Sequence, residues 1–199
     1  MVKNWRLLAQ NRQALAVIGF GFFISAAKDN LFIVFGAWME SSFGLGLASL
    51  GFAAGIIGAA ELMGEGITIL VSDRIGLKRA TIIGAVLTSM AYILLLFAQQ
   101  TIFIALAALF VLFMAFEFTM VSLLSLCTAI HPSARATMMA GFYAVGALGR
   151  VAGTLAGGLH WTFFGWTTVC IVSAVVNGIG LLLLIWGIQN RTDTKCPLP

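Results

Sequence analysis

Charged residues make up only 9% of this chain of 199 residues, against the roughly 25% usual in soluble domains. So little charge excludes an ordinary water-soluble fold with a solvated surface. Proline and cysteine occur three times each. Cys127, Cys170 and Cys196 show no metal or redox spacing, which excludes a disulfide framework and a thiolate metal centre. The first two read as packing residues and the third as an ordinary free thiol. His131 and His160 sit at loop edges with no nucleophile or ligand spacing beside them, so no catalytic or metal site is expected. A phosphate-cradling glycine loop of the Walker type is also missing, which excludes ATP-driven work by this chain, and no cofactor is implied. Apolar and polar residues do not alternate at the two-residue period of a membrane β-barrel.

What is present is apolar length. Hydrophobic residues make up 61% of the chain, and its mean hydropathy is +1.05. A bilayer core needs about 20 apolar residues per helix. Six runs of that order occur, at about 14–39, 47–71, 80–98, 102–128, 136–160 and 164–188. They leave almost no room for a soluble domain, so residues 1–199 are expected to form one all-α unit of six transmembrane helices in a lipid bilayer. The 22 glycines suit close helix packing in lipid. Residues 1–27 resemble a cleaved signal peptide, with Lys3, Arg6 and Arg12 ahead of an apolar stretch. Hydrophobicity resumes at once from Leu31 to Phe35, however, and the segment reads as a spanning helix.

Basic residues sort by loop. Lys3, Arg6 and Arg12 precede the first run, Arg74, Lys78 and Arg79 join the second to the third, Arg135 joins the fourth to the fifth, and Arg191 and Lys195 follow the sixth. The intervening loops carry none. The positive-inside rule therefore makes both termini and the Arg74–Arg79 loop cytoplasmic, in a membrane read as the bacterial inner membrane. The formal charge of +4 reports that topology and not nucleic-acid binding. Trp38 and Trp161 fall near the expected outer ends of helices, where interfacial aromatics belong.

Six ionisable residues fall inside the spans: Lys28, Asp29, Glu61, Glu65, Glu117 and Arg150, with Asn30 beside the first two. Each charge costs on the order of 2.5–3.5 kcal/mol at a helix centre, so such groups usually face a cavity or a partner. Four helices bring them to one depth, which points to a shared polar site for a small solute or protons. Two cations against four carboxyls leave an excess of negative charge that bound protons would neutralise. Structural ion pairing between helices is the competing account. Asp29 cannot pair side-on with adjacent Lys28, about 100° away on a helix, and is the favoured coupling carboxylate, with Glu117 next. Glu61, Glu65, Thr68 and Ser72 share one helical stripe. In "GRVAGTLAGG", Gly149, Gly153 and Gly157 recur every four residues, with Gly158 after them, which predicts a packing seam.

An internal repeat is visible in the same residues. Glu117 lies 88 positions after Asp29, and "RVAG" from Arg150 lies 89 positions after "ELMG" from Glu61. Three helices separate the copies, which predicts an inverted three-plus-three arrangement.

The loop "DRIGLKR", residues 73–79, resembles the cytoplasmic signature between the second and third helices of each half of the major facilitator superfamily, about G-x-L-A-D-R-x-G-R-[RK]. Asp73, Arg74, Gly76 and Lys78 match it and Arg79 follows, while Ile69 and Leu77 depart from it. "GRVAGTLAGG" is similar to the family's fifth-helix G-x-x-x-G-P-x-x-G-G motif, with Thr154 in place of proline. "NWRLLAQNRQAL" resembles the entry to the second half of such proteins. The resemblance implies one six-helix half-bundle, more like a C-terminal half. It also implies a loop whose Asp73 engages the opposite half.

The function implied is a half-sized or split secondary active transporter, proton-coupled or exchanging small solutes by alternating access. Its partner would be a second six-helix half, either a self-copy or another chain. The alternative is a transport-inactive subunit docked in a larger membrane complex, with the buried charges paired off and the cavity filled.

Overall fold

A computed structural model describes residues 11–130 and 134–188, the side chain of Asp73 excepted. The expectations for Lys3, Arg6, His131, Arg191, Lys195 and Cys196 lie outside the described residues. Seven helices form among the described residues: α1 (Arg12–Phe32), α2 (Phe35–Phe43), α3 (Leu47–Ile75), α4 (Leu77–Leu96), α5 (Ile102–Ile130), α6 (Arg135–Phe164) and α7 (Trp166–Ile188). No strand occurs among the described residues. With α1 and α2 counted as one span, six helices among the described residues are long and apolar enough to cross a membrane.

Local chemistry sets the boundaries. The Asn11 side chain accepts from the Gln13 and Ala14 N–H groups and starts α1. The first span breaks at Ile33 and Val34, where the Val34 N–H turns back to Leu31 O instead of continuing the ladder. Gly76 alone links α3 to α4. Its φ of +86° is open to glycine at little cost and strained for any other residue, which explains the single glycine amid the loop's charge.

Packing follows the small residues. α1 lies against α6 and α7, α5 lies against α3 and α4, and α4 meets α7. Exchanging α1 with α5, α3 with α6 and α4 with α7 reproduces the same set of neighbours, so the inverted repeat is real in three dimensions. It holds at single residues. A Cβ on Gly153 would collide with Ala26 O, and one on Gly64, 89 positions earlier, would collide with Met114 O, 88 positions after Ala26. Gly157 sits on Asn30 O, and its counterpart Thr68 donates its hydroxyl to Phe118 O at 3.4 Å.

Two apolar clusters fill the bundle. One lies toward Gly44 and includes Leu31, Trp38, Tyr92, Phe113 and Trp166. The other lies toward Gly76 and includes Phe20, Ile24, Leu123, Phe142 and Leu184. Polar residues occupy the level between them. Trp38 corrects the expectation of an interfacial ring: it is fully buried and stacked on Trp166, ring centroids 3.7 Å apart. The break after α1 redirects α2, so that Trp38 turns inward onto the first residue of α7.

Candidate functional site

The open side of the bundle is concave. α6 and α3 form its two edges, and α1 and α5 form its floor. Ser25, Lys28 and Asp29 from α1, Phe116, Glu117 and Met120 from α5, and Arg150 from α6 line a cavity of about 210 Å³ there. Glu61 of α3 stands beside it and reaches Lys28.

Charge is arranged in two pairs and a remainder. Arg150 donates its Nε–H to Asp29 Oδ2 at 2.9 Å; the carboxylate is buried, whereas the arginine side chain is 65% exposed. Lys28 Nζ lies 3.9 Å from Glu61 Oε1, at the edge of ion-pair reach. The ammonium also stands 5.0 Å from the Phe32 ring centre and 5.3 Å from that of Phe116, and these ring faces compensate part of its lost hydration. Glu117 has no ion-pair partner among the described residues. Its neighbour across the helix contact is Gly64, whose Cβ would come 3.1 Å from that of Glu117, so the glycine lets α3 and α5 close at this level.

Lys28, Asp29, Glu61, Glu117 and Arg150 are thus brought together, Glu65 stands at the edge of the group within electrostatic reach of Glu117, and Asn30 is outside it. Glu65 faces outward on the open side of α3. Thr68 and Ser72, on the same sequence stripe, turn the other way against α5, where Ser72 shares a hydrogen bond of 2.9 Å with Ser122. Asn30 points away from the cavity. Its Nδ2 donates to Val169 O at 3.1 Å and to Ser173 Oγ at 2.9 Å, and its Oδ1 lies 2.9 Å from His160 Nδ1. His160 carried no sequence signal beyond its polarity.

Asn177 anchors the back of the bundle, donating to Ala85 O and Ser89 Oγ. Ser173 and Asn177, four residues apart, form one polar stripe inside an otherwise apolar helix, the pattern that could have marked them.

Among the glycines, Gly149, Gly153 and Gly157 press on the backbone of α1 at Phe22, Ala26 and Asn30. Gly158 differs: one residue on, it is turned about 100° from the seam and faces open space. In the loop, Arg74 and Arg79 are exposed, and Lys78 Nζ donates to Ile188 O at 3.3 Å, at the C-terminal end of α7. A cation there complements the helix dipole. Asp73 lies in the last turn of α3, one residue before Arg74.

A family model described as Major Facilitator Superfamily matches residues 18–197. No curated protein matches the chain.

Proposed function

The chain belongs to the major facilitator superfamily, and from that premise we propose that it is half of a secondary active transporter that moves a small solute by alternating access and couples that movement to protons at Glu117. A function of the transport type, without enzymatic chemistry, follows from the family. The coupling residue, the second half and the orientation with both termini in the cytoplasm are the proposed parts.

One observation carries the proposal: Glu117 lines a cavity at mid-membrane and has no cation partner among the described residues. An ionised carboxyl there is costly, and a proton removes the cost directly. Asp29, favoured by sequence, is already held by Arg150 at 2.9 Å, and this supports Glu117 as the coupling residue in its place. Lys28 stands between Glu61 and the cavity. A proton leaving Glu117 would draw Lys28 toward it and loosen the contact with Glu61, linking protonation to the ion pair that joins α1 to α3.

A docking subunit remains the second reading, and the paired Asp29 and Arg150 favour it. A cavity lined by charged side chains, and Glu117 without an ion-pair partner among the described residues, favour transport. The test is uptake of candidate solutes into proteoliposomes under an imposed pH gradient. Glu117→Gln should abolish gradient-driven uptake while leaving exchange of preloaded solute intact. Unchanged gradient-driven uptake would remove Glu117 from the mechanism.

A further inference from the structure

We propose that the second half is another copy of this chain, facing it across a twofold axis along the membrane normal, and that Arg150 of one copy pairs with Glu65 of the other. This inference rests on the half-transporter reading and names its partner. On the open side the helices run in the order α6, α1, α5, α3, with α7 and α4 behind. Turning a copy by 180° about the membrane normal and setting it in front reverses that order. Its α3 then faces α6, and its α5 faces α1.

The charges on those edges are complementary. Arg150 spends its Nε–H on Asp29, and its two terminal nitrogens have no acceptor among the described residues. Its side chain is 65% exposed on α6. Glu65 is exposed on α3 with no cation partner among the described residues. Both lie at membrane depth, where an uncovered charge is disfavoured and a partner is the usual remedy.

Depth agrees as well. Arg150 sits at the centre of Arg135–Phe164, and Glu65 lies four residues past the centre of Leu47–Ile75, about 6 Å nearer the Gly76 end. Helical side chains lean toward the N-terminus of their own helix. Arg150 therefore leans toward the Gly76 end and Glu65 away from it, and the two tilts close the offset. Around them the edges are bare: a Cβ at Gly58 or Gly66 of α3, or at Gly158 of α6, would meet nothing within 4 Å. Facing helices can approach closely at such positions. With Glu65 engaged across the interface, Glu117 is the one membrane carboxyl in each copy left for a proton.

The test uses full-length chains carrying two different tags, co-expressed and purified from membranes. Wild-type copies should co-purify, Glu65→Arg should reduce recovery of the second tag at least tenfold, and Glu65→Asp should retain it. Glu65 touches no partner within its own copy among the described residues, so Glu65→Arg should fold; retention of the monomer's thermal transition checks this. In a second experiment, Glu65→Cys on one tag and Arg150→Cys on the other should give a mixed disulfide in preference to either like pair. Undiminished co-purification of Glu65→Arg copies, or cross-links only between like positions, would overturn the pairing. Wild-type recovery with a different chain and not with itself would overturn the self-copy and leave the transport reading standing. Gradient-driven uptake by monomeric Glu65→Arg protein would overturn the half-transporter reading instead.

Discussion

Asp29 and Arg150 form an ion pair at 2.9 Å, and the residues that the inverted repeat makes equivalent to them, Glu117 and Glu61, are both acidic. Of the two contacts that the repeat makes equivalent, α1 with α6 thus holds a satisfied pair of opposite charges, and α5 with α3 holds two like charges. Lys28, adjacent to Asp29 on α1, is the cation that reaches from the first contact to the second and lies 3.9 Å from Glu61. The asymmetry matters because an inverted repeat with two identical sites would have no reason to favour one state. Here one side is locked and the other has a mobile cation and a carboxyl to spare.

The locked pair makes an asymmetric prediction. Arg150→Gln strands a buried carboxylate and should destabilise the protein by on the order of 3 kcal/mol. Asp29→Asn strands only a guanidinium that is 65% exposed, and after discounting for its solvation the loss should be about 1 kcal/mol or less. Thermal unfolding of both variants in detergent checks the order. Equal losses would refute this difference in burial, and a larger loss for Asp29→Asn would make Arg150 the sequestered partner.

The glycine seam predicts a contrast between positions on it and off it. Gly153→Ala pushes a methyl into the Ala26 carbonyl and should cost about 1–3 kcal/mol, because backbone cannot step aside as a flexible side chain can. Gly158→Ala points into open space and should stay within about 0.5 kcal/mol. Melting temperatures that fall equally for both would refute the seam as drawn.

Much of this was legible in the sequence, for identifiable reasons. The spans were readable because length and apolarity are all that a bilayer asks of a helix. The repeat was readable because charge is so rare inside spans that two offsets of 88 and 89 stand out. The break at Ile33 and Val34 was hidden, since a continuously apolar run has no period to interrupt and neither glycine nor proline marks the site. Trp38 was misplaced for that reason: its direction depends on the break. The division of "ELMGEGIT" between the cavity (Glu61), the α5 contact (Gly64, Thr68) and the open edge (Glu65) depends on which neighbours α3 finds. One helix's stripe cannot reveal that.

For the connection between α3 and α4, Gly76→Ala should cost about 1–3 kcal/mol, as a φ of +86° forces a side chain into strained backbone. Lys78→Gln loses the bond to Ile188 O and its complement to the α7 dipole, about 1 kcal/mol or less. Unfolding experiments on the two variants should show the glycine change to be the larger. A larger effect at Lys78 would make the α4–α7 tie the controlling feature of this end.

The Asn30 network fixes a proton. Asn30 Nδ2 meets two acceptors: Val169 O is a carbonyl, and Ser173 Oγ gives its own hydrogen to Ala27 O at 2.9 Å. The amide therefore turns its Oδ1 to His160, and His160 Nδ1 must be the donor. Neutral His160 is then the Nδ1–H tautomer, and protonation at Nε2 would leave the bond intact. Nitrogen NMR of selectively labelled histidine should show a protonated Nδ1 and a bare Nε2 at alkaline pH, and the opposite tautomer would refute the arrangement. Asn30→Asp is the harsher genetic test. It keeps the bond to His160 but places carboxylate oxygens against Val169 O, turning an attraction at 3.1 Å into a repulsion between buried acceptors. The loss should be on the order of 3 kcal/mol, well above that of His160→Ala, which removes one hydrogen bond at a half-buried position worth about 1 kcal/mol. Were His160→Ala the worse of the two in thermal unfolding, the network would centre on the imidazole and not on the amide.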